Sequence, residues 1–237
     1  MSEFDFGEKA ERERKKTVRR DHDAYMTPPM LASAIVNRLR DSIIPTAPFR
    51  IIEPACGEGD FIAPCKAVWP EATIVAVDIR AEVAEKIQAF GAKFVHSDYL
   101  AILTKALASA DLIISNPPFN RFAEFVLHSL SGMRDGAYLV MLMRLGMLMW
   151  SEENDQMSDA QRTLWTKTYP DFLGVAPIGP RPSFTDDGKT DAQEYGIGVW
   201  QKGQGDSRSP PDNHVASLWP RIIWKKPLRR PRRKNGG

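Results

Sequence analysis

The chain has 237 residues, enough for one sizeable α/β domain with modest appendages. Its hydrophobic content of 43% is ordinary for a globular protein, it holds no apolar run of roughly 18 residues that would span a membrane, and residues 1–20 are charged, unlike a secretory leader. The formal net charge is only +2 but unevenly spread: eight basic residues and no acid fall between Arg221 and Lys234, a stretch suited to phosphate contacts or simply to keeping the chain soluble. Cys56 and Cys65, with no histidine nearby, form neither a zinc site nor a disulfide framework, so a cytoplasmic protein without a metal site is expected.

Residues 1–20 read as a polar extension whose mixed charges, from Glu8 to Arg20, fit an exposed helix with intrahelical pairs. Thr27 is a candidate N-cap with Pro28 at the first helical position, opening a helix that runs to Ser42. Strands are then expected at 50–53, 73–78, 93–97, 111–115 and 136–143, separated by helices at 61–68, 81–90, 100–108 and 121–131. Residues 145–170 read as helices over the substrate side, and 172–178 with 194–201 as a final antiparallel pair. Alternating strands and helices predict an α/β fold: a Rossmann-like, doubly wound, mostly parallel seven-stranded sheet with a C-terminal antiparallel strand. The expected division is an extension at 1–20, a catalytic domain at 21–204 and a basic, flexible tail at 205–237.

The chemistry gathers at strand ends. Asn116-Pro117-Pro118-Phe119 follows the apolar run Asp111 to Ser115. An Asn side chain accepts a hydrogen bond from an amine, the Pro117 carbonyl can accept a second, and Phe119 can stack on a flat ring. Upstream, Ile51 to Phe61 carries a small-residue turn, in which Gly57 and Gly59 permit positive φ or close approach of a ligand. Some 20 residues later Asp78 ends a second buried strand, the spacing that sets a carboxylate beside a ribose. Asp98 and Tyr99 end a third strand and suit an adenine, although such an acid also serves as a helix cap. The turn lacks the GxGxxG pattern and a phosphate-binding lysine, so a nucleoside without phosphates fits better than NAD or ATP.

With these motifs in this order, the sequence resembles the S-adenosylmethionine-dependent amino-methyltransferases over residues 22–202. Within them it is most similar to the DNA adenine-N6 methyltransferases whose cofactor motif precedes the glycine-rich loop. The resemblance implies the class I methyltransferase fold and S-adenosyl-L-methionine as cofactor. It implies that Tyr25, Met26, Thr27 and Pro28 close over the methionine end, and that Glu53, Pro54, Ala55, Cys56 and Gly57 form the loop beneath it. Glu53, Asp78 with Ile79, and Asp98 with Tyr99 and Asn116 then hold the amino, ribose and adenine regions. Asn116, Pro117, Pro118 and Phe119 become the catalytic loop, acting on a base flipped out of a duplex. In the polar stretch 179–191, Phe184 is the candidate for packing on that base and Arg181 and Lys189 for the backbone; the alternative is a hairpin loop that Phe184 anchors to the core.

The same tetrapeptide also serves enzymes that methylate RNA bases or glutamine side chains of proteins, and a non-catalytic nucleic-acid-binding subunit keeps the same fold. Asn in first position and the segment Tyr25 to Pro28 lean towards adenine in double-stranded DNA. The short stretch after the last strand suggests a compact, phage-type or bacterial enzyme whose specificity comes from residues 145–190, from the tail, from a partner or from a homodimer.

Overall fold

The computed structural model describes residues 26–148, 159–184, 192–203, 217–218 and 222–223; Tyr25, Lys189, the N-terminal extension and most of the basic tail lie outside them.

Seven strands form where alternating apolar runs predicted them, with ends shifted by no more than a few residues. They are β1 (Arg50–Pro54), β2 (Thr73–Asp78), β3 (Lys93–His96), β4 (Leu112–Ser115), β5 (Tyr138–Arg144), β6 (Phe172–Gly179) and β7 (Tyr195–Gln201). Their spatial order is β3-β2-β1-β4-β5-β7-β6. Strands β1 to β5 are mutually parallel, and β7 runs antiparallel to both β5 and β6. Two-residue strands β8 (Ser217–Leu218) and β9 (Ile222–Ile223), within the stretch read as tail, pair parallel with β6.

Helix α1 (Pro29–Ser42) buries Leu31, Ile35, Val36 and Leu39, an i, i+4, i+5, i+8 stripe. With α2 (Ile62–Val68) and α3 (Ala84–Ala89) it covers one face of the sheet. Helices α4 (Phe122–Gly132) and α5 (Asp159–Thr168) cover the other, where Phe125, Val126 and Leu164 join the core around Trp200. The chain order reverses between β1 and β4, so their carboxyl ends diverge and leave a crevice there.

Three local readings change. Pro28, not Thr27, is the N-cap of α1, and Pro29 takes the first helical position; the Thr27 side chain makes no capping bond. The helix expected at 100–108 is instead two 3₁₀ stretches, Tyr99–Ala101 and Thr104–Ser109, because Ile102 and Leu103 are extended with ψ of 133° and 129°. The helix expected at 81–90 opens as a 3₁₀ turn, Ala81–Val83, before α3.

Candidate functional site

The loop after β1 is built on three left-handed residues: Ala55 and Gly57, each with φ of 54°, and Gly59 with φ of 85°. The two glycines do different work. A Cβ on Gly57 would meet only the Arg80 guanidinium, at 3.3 Å, so this position keeps the backbone open towards the crevice. A Cβ on Gly59 would press on Ile87 Cδ1 at 3.0 Å and Phe90 Cε2 at 3.1 Å, so that glycine lets the loop seat on α3. Ala55 in the same region is strained, which sequence reading missed because alanine carries no signal for it.

Asp78 holds the loop in place. Its Oδ2 accepts from the Gly57 backbone N–H at 2.7 Å, and its Oδ1 accepts from the Arg80 backbone N–H at 2.9 Å and from Arg80 Nε at 3.1 Å. Glu53 at the end of β1 is 3% exposed, and its Oε2 has no hydrogen-bond partner among the described residues. Burial, with the nearby Asp60 carboxylate, pushes the Glu53 carboxyl well above the usual carboxylate range, against the pull of a backbone hydrogen bond from Phe61. Burial raises Asp60 too, although it accepts from the Thr27 backbone N–H at 2.7 Å. The Cys56 thiol is pushed up by burial and by Glu53 and Asp78, which leaves it inert. Pro54 does not face the crevice; its carbonyl accepts from Ser115 Oγ and so ties β1 to β4 at the site.

Asp98 keeps both readings offered for it. Its Oδ1 accepts from Leu100 N–H at 3.0 Å, capping the 3₁₀ turn, and its Oδ2 faces Arg121 Nη1 at 3.3 Å, yet it still borders the crevice. Tyr99 also borders it but is 2% exposed: its hydroxyl bonds Ser129 Oγ at 2.8 Å and its ring packs on Phe125 at 5.2 Å. It is foremost a core residue. Ile79, by contrast, is 47% exposed at the rim.

Asn116 leaves β4 with its Nδ2 donating to Thr27 Oγ1 at 3.1 Å, which joins the segment before α1 to the Asn-Pro-Pro-Phe loop across 89 residues of sequence. That bond fixes the plane of the amide, whose oxygen Oδ1 is buried. Pro118 lines the crevice, whereas Pro117 is buried and does not. Phe119 lies in an aromatic cluster, 6.1 Å from Phe184 and 5.6 Å from Tyr195, with the Arg144 guanidinium 4.7 Å from its ring centroid. Phe119 and Phe184 pack edge to face, and Phe184 joins the core cluster, the arrangement given as the alternative for it. Arg181 pairs with Glu194 through Nε at 2.7 Å, bracing the two ends of the connection between β6 and β7. Met26 and Thr27 border the crevice, and Pro28 lines an adjoining hollow together with Phe184.

The crevice encloses about 820 Å³, part of it open to solvent. Besides the residues expected from sequence it takes in Asp60, Phe61, Arg80, Ser97, Arg121 and Phe125. Asp60 was within reach of sequence reasoning as the acid closing the Gly57–Gly59 turn; Arg121 and Phe125 were not, since only the packing of α4 brings them here. Its acids are Glu53, Asp60, Asp78 and Asp98 and its bases Arg80 and Arg121, which pair with Asp78 and Asp98. Among the described residues no cluster of His, Cys, Asp or Glu is arranged to hold a metal ion, and no helix is long and apolar enough to cross a membrane.

No family model matches the sequence. Over 107 residues it is 34% identical to the type II methyltransferase M.CvrRI of Paramecium bursaria Chlorella virus XZ-6E, a match covering 44% of this chain and 26% of the viral protein. The chain thus spans about a quarter of that relative's length. Among solved structures it superposes on a protein assigned to the class I S-adenosylmethionine-dependent methyltransferases from Listeria monocytogenes, with TM-score 0.58 and 17% identity over 88% of this chain and 69% of the other. It also superposes on the type I restriction-modification methyltransferase subunit of Streptococcus thermophilus, with TM-score 0.56 and 12% identity over 76% and 45% of the two chains. The chain has the fold of the class I S-adenosylmethionine-dependent methyltransferases, and part of its sequence is related to a type II methyltransferase.

Proposed function

We propose that this protein is an S-adenosyl-L-methionine-dependent methyltransferase that methylates the exocyclic N6 amine of adenine in double-stranded DNA. The observation that carries this reading is the bond between Asn116 and Thr27, which fixes an amine-accepting side chain at the edge of an acid-floored crevice. The crevice fits the cofactor: Glu53 Oε2 is a buried acceptor awaiting a donor, and Gly57 leaves room for close backbone approach. Glu53 is the candidate for the cofactor's ammonium, Asp78 for its ribose, and Ile79 and Asp98 for its adenine. When bound, the cofactor supplies a methyl group already activated on a sulfonium.

The chain's own residues then have to hold the acceptor. An adenine amine is a weak nucleophile because its lone pair is delocalised into the ring. The Asn116 side-chain carbonyl and the Pro117 backbone carbonyl would accept its two N–H groups, drawing electron density back to nitrogen and aiming the lone pair. No strong general base is needed. Reaching the amine requires extruding the base, with Phe119 as its stacking surface. The viral type II relative and the restriction-modification subunit of like fold support DNA as the substrate. A cytoplasmic setting, and a homodimer or a specificity partner for sequence recognition, belong to the same reading.

The test is methyl transfer from tritiated S-adenosylmethionine to unmethylated duplex DNA, structured RNA and a release-factor preparation in parallel, followed by nucleoside analysis. Label in N6-methyladenine of DNA is the expected result. Label only in RNA or protein overturns the substrate but keeps the cofactor site, and no label anywhere favours a binding-only subunit.

A further inference from the structure

The proposed reaction needs one face of Phe119 bare, yet this side chain is 5% exposed. Among the described residues, Phe184 lies edge to face against it at 6.1 Å, Tyr195 at 5.6 Å, and the guanidinium carbon of Arg144 over the ring at 4.7 Å from its centroid. These covers are not equivalent. Phe184 and Tyr195 are 6% and 1% exposed and share one core cluster with Phe119, so moving either opens the core. Tyr195 is further held by its place in β7, opposite Arg144 in register. Arg144 is the last residue of β5, beside the strand that carries Asn116, and is only half-buried. Its side chain is long and unbranched and ends in a flat, delocalised cation. Of the three it is the one outside the buried core cluster. Where it now lies, over an aromatic face, is also where a stacked base would lie.

We propose that Arg144 and the target base exchange places: the base takes over the face of Phe119, and the released guanidinium takes a backbone phosphate of the same nucleotide. The exchange rests on the nucleic-acid reading above and deepens it, because it makes the substrate an anionic nucleotide chain rather than a neutral peptide glutamine. A guanidinium keeps its charge at all working pH values and can place two parallel N–H groups on phosphate oxygens. It offers no comparable partner to a neutral amide substrate.

The experiment compares the full-length protein with Arg144→Gln, which keeps a planar end but no charge, and Arg144→Lys, which keeps the charge. Binding to unmethylated duplex DNA is followed by fluorescence anisotropy from about 50 to 200 mM salt, with steady-state methyl transfer alongside. Arg144→Gln should flatten the slope of log affinity against log salt by about 0.9, the worth of one phosphate contact, while Arg144→Lys keeps the wild-type slope. Methyl transfer by Arg144→Gln should lose roughly tenfold in kcat/KM, mostly through KM. Melting temperature and S-adenosylhomocysteine binding establish that both variants are folded. An unchanged slope in Arg144→Gln, or equal flattening in both variants, overturns the exchange. If the wild-type protein transfers no methyl group to nucleic acid, the underlying reading fails instead, and that is seen before any variant is compared.

Discussion

Replacing Thr27 by valine isolates the contact on which the proposed amine-holding geometry depends. The two side chains are nearly the same shape, and Thr27 is 2% exposed, so the change makes no cavity. The Thr27 backbone N–H keeps its bond to Asp60, since only Oγ1 is removed. What is lost is the acceptor 3.1 Å from Asn116 Nδ2. One hydrogen bond of this kind contributes about 1 kcal/mol net, and a donor turned towards a methyl group instead adds a desolvation cost of similar size. If the bond serves to orient the amide, most of that energy appears in the transition state, where about 1.4 kcal/mol is tenfold. The expected result is a 5- to 20-fold fall in kcat (about 1–2 kcal/mol), a melting temperature lower by about 2–4 °C per kcal/mol, and little change in S-adenosylhomocysteine affinity. Thr27→Ser should recover most of the activity. Were kcat to stay within twofold while the melting temperature fell, the bond would be holding the loop together rather than aiming Asn116.

Asn116→Ala should reduce methyl transfer by at least 10²- to 10³-fold, the scale of a lost transition-state hydrogen-bonding group, while calorimetry with S-adenosylhomocysteine stays within a few-fold; retained turnover would remove Asn116 from the chemistry. Asp78→Ala should weaken cofactor binding by more than about tenfold, because it removes both a ligand acceptor and the anchor of the Gly57 N–H; unchanged calorimetric affinity would displace it from the site. Glu53 makes stability pH-dependent with a definite sign. Its folded pKa is raised, mainly by burial, so the folded state holds the proton to higher pH than the unfolded chain does. Stability therefore falls as pH rises from the ordinary carboxylate range towards the raised value, and Glu53→Gln should melt higher at neutral pH with a flatter profile. Parallel melting curves for the two proteins between about pH 4 and pH 8 would refute the burial argument. Gly59→Ala should destabilise the fold by about 1–3 kcal/mol, because it combines a left-handed φ with contacts to Ile87 and Phe90; a chemical-denaturation midpoint equal to wild type would show that α3 can yield.

Much of the architecture was legible in the amino-acid order. Apolar runs such as Leu112 to Ile114 and Leu139 to Met143 are buried on both faces, so they read as central strands of a doubly covered sheet. Strand-end residues were equally legible. A doubly wound sheet delivers the carboxyl ends of its strands to one edge, so Glu53, Asp78, Asp98 and Asn116 converge by topology alone. Short-range capping was read less well: Thr27 matches the N-cap pattern, but Pro28 fills that role, and Thr27 is recruited by a residue 89 positions away.

Side-chain partners were decided only by tertiary packing. The family resemblance placed Phe184 near Phe119 but could not tell a stacking slot from a loop anchored to the core, because that depends on how β6 and β7 seat beside β5. The pairing of Arg181 with Glu194 across the β6–β7 connection was likewise not legible in the sequence. Sequence reading singled out Asp78 and Asp98 as ligand groups without revealing that each also holds the protein's own backbone. Periodicity and turn chemistry are local, so the order of residues alone determined which elements form and which strand ends carry polar groups. Hydrogen-bond partners, the pairing of charges and the covering of an aromatic face depend on distances between segments far apart in the chain, and only the folded sheet with its helices decided those.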